Sequence, residues 1–386
     1  MLIKNKYFIL ITLIGLFVRL LGFDFISNDM KFCLLPWFNI INDSGGLNAL
    51  TEQVGDYGLL YQTIIALMTY VDINPVYQYK VLSVVFDFLL AFSIAFFIYS
   101  TDLPTIFPYQ NRTIRFCLTY ACVLFMPTVI LNSAFWGQCD SIYSCFLLWG
   151  LCFLYKRKFK DTFFMLGCAL SFKLQTVLLF PLFLFHYFLK KQFSLFNFII
   201  TFATFWLSGI VAYLYGRNIL DGINIYLYQV GEYKSMWLNV PSFWVLVGND
   251  YDRYHLFAIS LTIVLLGIGF GVFLYYKQQI DSFSQLIILA IFVEWTCILF
   301  LPSMHERYTY VLDLLLLILS ILDSRCVKYA VIAIGTSCIT YSSFLFRTPE
   351  LNSLLIITYI AAWWCFLGEM YFERNMFEVI IRKFKT

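Results

Sequence analysis

The chain has 386 residues, 61% of them hydrophobic and only 13% charged, about half of the roughly 25% expected of a soluble domain. Long apolar runs recur along the whole length, with a mean hydropathy of +0.79, so no soluble module is visible. The formal net charge of +3 and the lack of a basic tract give no sign of a nucleic-acid partner.

Composition therefore predicts an all-α, polytopic, integral membrane protein. Residues 7–23 follow Lys4 and Lys6 and resemble a signal peptide at first sight. Arg19 interrupts the run and no small-x-small cleavage pattern follows, so an uncleaved first span is expected. A helix crosses the ~30 Å hydrocarbon core in about 20 residues. By that measure the spans fall at 7–23, 80–100, 114–133, 141–155, 195–215, 254–276, 283–301, 308–323, 327–345 and 352–372. Two stretches are ambiguous: 57–71 is short, and 162–189 is long with a polar break, SFKLQ, inside it. Most cysteines, among them Cys117, Cys122, Cys145, Cys152, Cys338 and Cys365, sit within apolar runs. They read as small hydrophobes, not as a disulfide or zinc framework.

The excess of Lys and Arg on cytoplasmic loops arbitrates the ambiguities. If 57–71 does not cross and 162–189 enters and returns, 17 of the 26 basic residues face the cytoplasm. These are Lys4, Lys6, Arg112, Arg115, Lys156, Arg157, Lys158, Lys160, Lys190, Lys191, Lys277, Arg325, Lys328, Arg374, Arg382, Lys383 and Lys385. About 12 passes with both termini cytoplasmic is the expected topology, forming a single transmembrane domain, 1–386. Within it lie a large first outer loop with juxtamembrane helices (24–79), a helical core (80–323) and C-terminal spans with a basic tail (327–386). The tip Phe172-Lys173-Leu174-Gln175 should lie below the outer lipid surface, where irregular backbone is tolerated only if it lines protein or a wet cavity.

The outer face then collects four segments, the loop 24–79, the turn FWGQCD (135–140), the loop 216–253 and PSMHERY (302–308), and the Lys173 tip approaches them. Asp29 heads the apolar run SNDMKFCLLPWFNII, either as a helix N-cap or as a carboxylate held at the membrane edge. Asp140 closes the turn FWGQCD, again either a capped tight turn or part of a site. A pair of carboxylates, Asp29 and Asp140, suits a general base and its partner. No His/Asp cluster at ligand spacing supports a metal, and no cofactor is expected. Lys173 lies deep in an apolar run, where an ammonium costs at least about 2.5–3.5 kcal/mol, so it must snorkel outward or find an anion. In LPSMHERYTY, Arg307 and His305 can grip a phosphate, with Glu306 orienting them; the bland alternative is an interfacial ion-pair cluster. Trp136, Gln138, Gln175 and Tyr308 complete the candidate substrate contacts. Asp87, Glu294 and Asp313 lie inside spans, as functional groups or as structural pairs between helices. Acids able to deprotonate a hydroxyl, together with cations able to hold a phosphate, favour a membrane enzyme acting on a lipid phosphate. A transporter would more plausibly show repeated half-structures.

The order Asp29, Pro36-Trp37, GDYGLLY (55–61), NSAFWGQCDSIY (132–143), SFKLQTVLLFPLF (171–183) and MHERYTY (304–310) resembles the integral-membrane GT-C glycosyltransferases. The likeness is to bacterial relatives of the GPI mannosyltransferase II family and covers roughly residues 10–320. It implies a GT-C-like fold and inverting transfer of a hexose, mannose-like or other, from a polyprenyl-phosphate sugar donor. It also implies Asp29 as the base, the first-loop Asp being the usual candidate, although the family's frequent Gly-Asp-Tyr is here Asn28-Asp29-Met30. The acceptor would be a glycan or lipid-linked hydroxyl on the extracytoplasmic face of a bacterial plasma membrane. A flippase, transporter or polymerase of lipid-linked glycans is the alternative.

Overall fold

The structure is a computed structural model that describes residues 5–107, 111–275, 280–349 and 352–371. Lys4, Lys277 and the basic tail with Arg374, Arg382, Lys383 and Lys385 lie outside the described residues. The described chain is almost entirely helical, and its only strands are two residues long. It forms two compact units.

The first unit comprises Met1–Leu103, Phe107–Val177 and Gln192–Tyr233. It opens with α1 (Lys6–Leu20), capped by the Asn5 side chain. A short π-helical turn, Met30–Leu34, runs into α2 (Leu35–Asp43), and α3 follows at Leu59–Met68. The central helix, α4 (Pro75–Thr101), starts where Asn74 caps it and Pro75 occupies the first turn. There the missing N–H costs nothing. α5 is Arg112–Leu124, and α6 (Pro127–Ile130) continues as a π-helical turn to Trp136. α7 (Asp140–Tyr155) and α8 (Phe159–Phe172) form a hairpin. Residues 178–191, with α9 (Phe180–Lys190), belong to the second unit. α10 (Phe198–Leu207), α11 (Ile210–Leu214) and α12 (Asp221–Glu232) complete the first. α4 packs on α5 and α7, α7 on α8, and α8 on α10. The last contact is close because Gly167 has no side chain: a Cβ there would stand 2.5 Å from Thr204 Cβ and 2.6 Å from the Thr201 carbonyl.

The second unit comprises Pro104–Ile106, Leu178–Lys191 and Lys234–Thr386. Its elements are β1 (Trp237–Leu238), α13 (Tyr251–Tyr275), α14 (Phe283–Phe300), β2 (Met304–His305), α15 (Tyr310–Leu322), α16 (Val327–Phe346) and α17 (Ser353–Phe366). β1 and β2 pair in parallel, Trp237 opposite Met304 and Leu238 opposite His305. α14 is buried at every residue from Leu286 to Phe300 and is the core of this unit, with α9, α13 and α15 packed on it. A capping box formed by Ser282 and Gln285 sets its start.

Among the described residues, five helices are long and apolar enough to cross a membrane, or six if the bent pair Arg112–Leu124 and Pro127–Trp136 is one span. The chain is thus a multi-helix membrane protein. Several expected spans are shorter or broken. The run 114–133 is not one straight helix: it bends by 55° where Pro127 restarts it, since proline removes a backbone donor and crowds the preceding turn. The run 195–215 breaks at Ser208-Gly209 into helices of 10 and 5 residues. The runs 7–23 and 308–323 yield helices of 15 and 13 residues, less than a bilayer requires. In 57–71 the helix is 10 residues, about 15 Å, too short to cross. In 162–189 the helix ends at the expected place. Lys173 is extended, with φ −155° and ψ 133°.

Candidate functional site

The residues that converge lie at the start of the α7 hairpin in the first unit. Arg19 and Asp87, both fully buried, join α1 to α4 by a 2.8 Å ion pair. The Arg19 guanidinium also donates to the carbonyls of Gly15 and Leu124. Ser133, just before the turn, donates to the same Asp87 oxygen at 2.5 Å. A buried charge is tolerated only when paired and hydrogen-bonded, and here each partner supplies the other's need. The Lys80 ammonium closes the end of the first helical segment by donating to the carbonyls of Gly22 (2.7 Å), Phe23 (2.9 Å) and Phe25 (2.5 Å). Cations suit these orphan carbonyls at a helix C-terminus. Lys80 thereby shapes the bend that leads into Asp29.

Asp29 does not cap the helix it precedes. Ser27 takes that task, its Oγ accepting from Met30 N at 3.1 Å while donating to the Trp136 carbonyl at 3.0 Å. The Asp29 carboxylate turns instead to the FWGQCD segment. Its Oδ2 accepts from Trp136 Nε1 at 2.9 Å and from Gln138 Nε2 at 2.7 Å. Gln138 in turn accepts from the Tyr57 hydroxyl at 2.8 Å. Its backbone carbonyl accepts from Ser83 at 2.6 Å. The turn can present two donors to one oxygen because Gly137 between them adopts φ 77°, a conformation costly for any residue with a Cβ. A Cβ there would also stand 2.5 Å from Met30 Cε. Asp29 is partly exposed, whereas Trp136 and Gln138 are buried.

Tyr57 is positioned by its own shell. It packs edge-on against Trp37 and 4.6 Å from the Tyr61 ring, centroid to centroid. The loop before it is tied down from the connection between α11 and α12 and from α12 itself. Arg217, itself paired to Asp221 at 2.7 Å, donates to Gln53 Oε1 at 2.6 Å and to the Leu50 carbonyl. Gln229 donates to the Asp56 carbonyl.

Asp140 sits beneath this arrangement, fully buried. One oxygen accepts from Asn132 at 2.8 Å and the other is paired with the Lys173 ammonium. Lys173 Nζ also lies 5.8 Å from the Tyr143 ring centroid, a cation–π distance. The anion Lys173 required is therefore Asp140, 33 positions away in the chain, and Lys173 does not snorkel. Trp136 is fully buried, so its indole holds Asp29 and presents no face on which a sugar could stack. Gln175 follows the break, and its Oε1 is buried with no hydrogen-bond partner among the described residues.

His305, Glu306, Arg307 and Tyr308 belong to the second unit. His305 ends β2, and Glu306–Thr309 form a 3₁₀ turn into α15. Glu306 is buried while His305, Arg307 and Tyr308 are partly exposed, and the His305 and Tyr308 rings lie 5.2 Å apart. Ser303, at φ 59°, bonds back to Ser235 and fixes the approach. Asp313 has a partner between helices: the Ser337 hydroxyl of α16 lies 3.1 Å from its carboxylate and 2.8 Å from the Thr309 hydroxyl.

Sequence reasoning missed Tyr57, Ser27, Lys80, Asn132 and Arg217. All but Asn132, which lies eight positions from Asp140, act across dozens of positions, and Ser27, Asn132 and Tyr57 stood inside motifs already singled out. Among the described residues no cluster of His, Cys, Asp and Glu could hold a metal ion. Fold and site together define a multi-helix membrane protein with a partly exposed carboxylate held by a buried turn. No family model and no curated protein matches the chain.

Proposed function

We propose that the protein is an inverting membrane glycosyltransferase that moves a hexose from a polyprenyl-phosphate sugar to a hydroxyl acceptor, with Asp29 as general base. The observation that supports this reading is the fixation of Asp29 Oδ2 by Trp136 Nε1 and Gln138 Nε2. A general base must be held in one orientation and still be reachable. Asp29 is partly exposed, and its two donors come from a buried turn. On this reading Asp29 takes the proton of the acceptor hydroxyl as its oxygen bonds to the anomeric carbon. The bond from that carbon to the phosphate oxygen breaks, and its electron pair leaves on the phosphate. Attack from the face opposite the leaving group inverts the anomeric centre. Trp136, Gln138 and Tyr57 are positioning residues, and Asp140 with Lys173 supports the turn from below.

The accompanying topology has about 12 passes, both termini cytoplasmic and Asp29 on the outer face of a bacterial plasma membrane. The distribution of basic residues supports it, as does the shortness of α3. The test is transfer from a radiolabelled polyprenyl-phosphate hexose in membranes containing the chain, with product analysis. A new glycosidic bond that disappears in Asp29→Asn is the expected result. Undiminished transfer in that variant removes Asp29 as the base. Movement of the donor across the bilayer without a new bond makes the protein a flippase.

A further inference from the structure

A separate feature of the first unit lies at the opposite end of α7 from Asp140, a helix length of 16 residues, about 24 Å. A cavity of about 180 Å³ opens between α4 and α7. Ile94 and Phe97 of α4 line it with Leu148, Cys152 and Phe153 of α7, and Lys156 closes one end. Two serines also border it, but they spend their hydroxyls on their own helix. Ser93 donates to the Leu89 carbonyl at 2.5 Å and Ser100 to the Phe97 carbonyl at 3.1 Å. The groove is therefore apolar in character, and its rim includes the exposed rings of Phe96 and Trp149.

Its mouth is cationic, and the cations are placed by the groove's own walls. Lys156 Nζ lies 5.0 Å from the centroid of the Phe97 ring, and Lys158 Nζ lies 5.9 Å from that of Phe153. Both lysines are exposed, and no carboxylate pairs with either among the described residues. The carboxylate that ends α4, Asp102, is occupied by Arg112 and Arg115. Asp161, in the first turn of α8, forms no ion pair with them. An apolar slot beside a long apolar helix, with two unneutralised ammonium groups at its mouth, is complementary to a molecule with one hydrocarbon chain and a net negative head.

The geometry points to a site for an anionic membrane phospholipid, with an acyl chain between α4 and α7 and the headgroup phosphate on Lys156 and Lys158. This inference is independent of the proposed transferase activity and rests only on the chain being embedded in a bilayer. Each basic residue near an anionic lipid surface strengthens attraction by a factor of about five. The lysines thus supply selectivity by charge, and the groove supplies retention by burial of apolar area.

The test uses the purified full-length chain, offered equal amounts of phosphatidylglycerol and phosphatidylcholine with identical acyl chains, with bound lipid counted by native mass spectrometry. Preferential retention of phosphatidylglycerol is expected, falling about fivefold for each lysine replaced in Lys156→Gln and Lys158→Gln. Both lie on an exposed turn, where substitution rarely disturbs folding. Phosphatidylglycerol with a photoactivatable acyl chain should label peptides covering 90–100 or 148–156, and Ile94→Trp, which fills the slot, should suppress that label. Equal retention of the two lipids, a preference unchanged in the double lysine variant, or labelling confined to other helices would each overturn the site.

Discussion

Gln138 donates to Asp29 across 109 positions of sequence, at 2.7 Å. The bond ties the first long connection of the chain to the turn that opens α7. It also reverses the role that each residue suggests in isolation. A glutamine in a Gly-containing turn reads as a ligand for a sugar, and an aspartate before an apolar run reads as a helix cap. In the structure Ser27 does the capping and the amide serves the carboxylate.

Removing either donor should therefore act on Asp29. Gln138→Leu and Trp136→Phe each delete one hydrogen bond to a charged acceptor, worth about 1.5–3 kcal/mol. Hexose transfer is expected to fall roughly tenfold to a hundredfold in each, with the donor KM little changed. Tyr57→Phe, one bond further out, should cost less. Steady-state transfer kinetics on the three variants checks the order, and equal losses in all three would argue for general damage to the turn.

Gly137→Ala probes the same turn through its backbone. A Cβ at φ 77° is strained, and it would stand 2.5 Å from Met30 Cε, the flexible end of a side chain. The left-handed conformation alone costs about 1–2 kcal/mol, and Met30 must shift besides. Thermal unfolding in detergent should move down accordingly, and Met30→Ala in the same chain should recover only the steric part. Full recovery would mean that the backbone strain is negligible.

The Lys173 and Asp140 pair should behave as one buried unit. Their side chains are 7% and 1% exposed, so neither charge has water to fall back on. Replacing one alone, Lys173→Met or Asp140→Leu, leaves an uncompensated charge and should destabilise by about 3–5 kcal/mol. The double replacement should be markedly less harmful than the sum of the two, which a thermodynamic cycle on the unfolding midpoints measures. Simple additivity would show that the pair does not interact.

Asp102 offers a pH-dependent counterpart at the end of α4. The hydrogen bond from Arg115, with Arg112 beside it, holds its carboxyl below the usual carboxylate range. A carboxyl depressed in the folded state adds stability above its unfolded pKa, about 3.9, and loses it as pH falls through the folded value. Asp102→Asn should thus lower the unfolding midpoint at neutral pH. The gap between variant and native protein should close as pH drops below about 4. A gap independent of pH would mean the ion pairs contribute nothing by charge.

Much of this arrangement was legible in the sequence, and the rest was hidden for identifiable reasons. Hydropathy marks the long helices α4, α13 and α14 correctly, because each is a single unbroken run. It fails at Pro127 and Ser208-Gly209, where averaging over a window passes across a break that backbone chemistry imposes. The end of α8 at Lys173 could be read because one charge in an apolar run is conspicuous. Its partner could not, since nothing local to Lys173 distinguishes Asp140 from the chain's other carboxylates. Burial was the other unseen quantity. Trp136 reads as a substrate contact in sequence but is enclosed in the structure, where its indole is a donor for Asp29.

The same distinction between position and burial decides how the topology can be tested. Cys33, in the π-helical turn after Asp29, is partly exposed, whereas Cys139, beside Gln138, is fully buried. Sequence position alone places both on one side and makes both candidates for thiol labelling. The structure separates them. In single-cysteine variants in intact cells, a membrane-impermeant maleimide should modify Cys33 from outside and leave Cys139 untouched. Denaturing the same membranes should expose Cys139 to full labelling, which shows that burial and not sidedness had protected it. If Cys33 reacts only after the membrane is permeabilised, the first loop faces the cytoplasm. Asp29 could then not act on an extracytoplasmic acceptor, whatever its hydrogen bonds to Trp136 and Gln138.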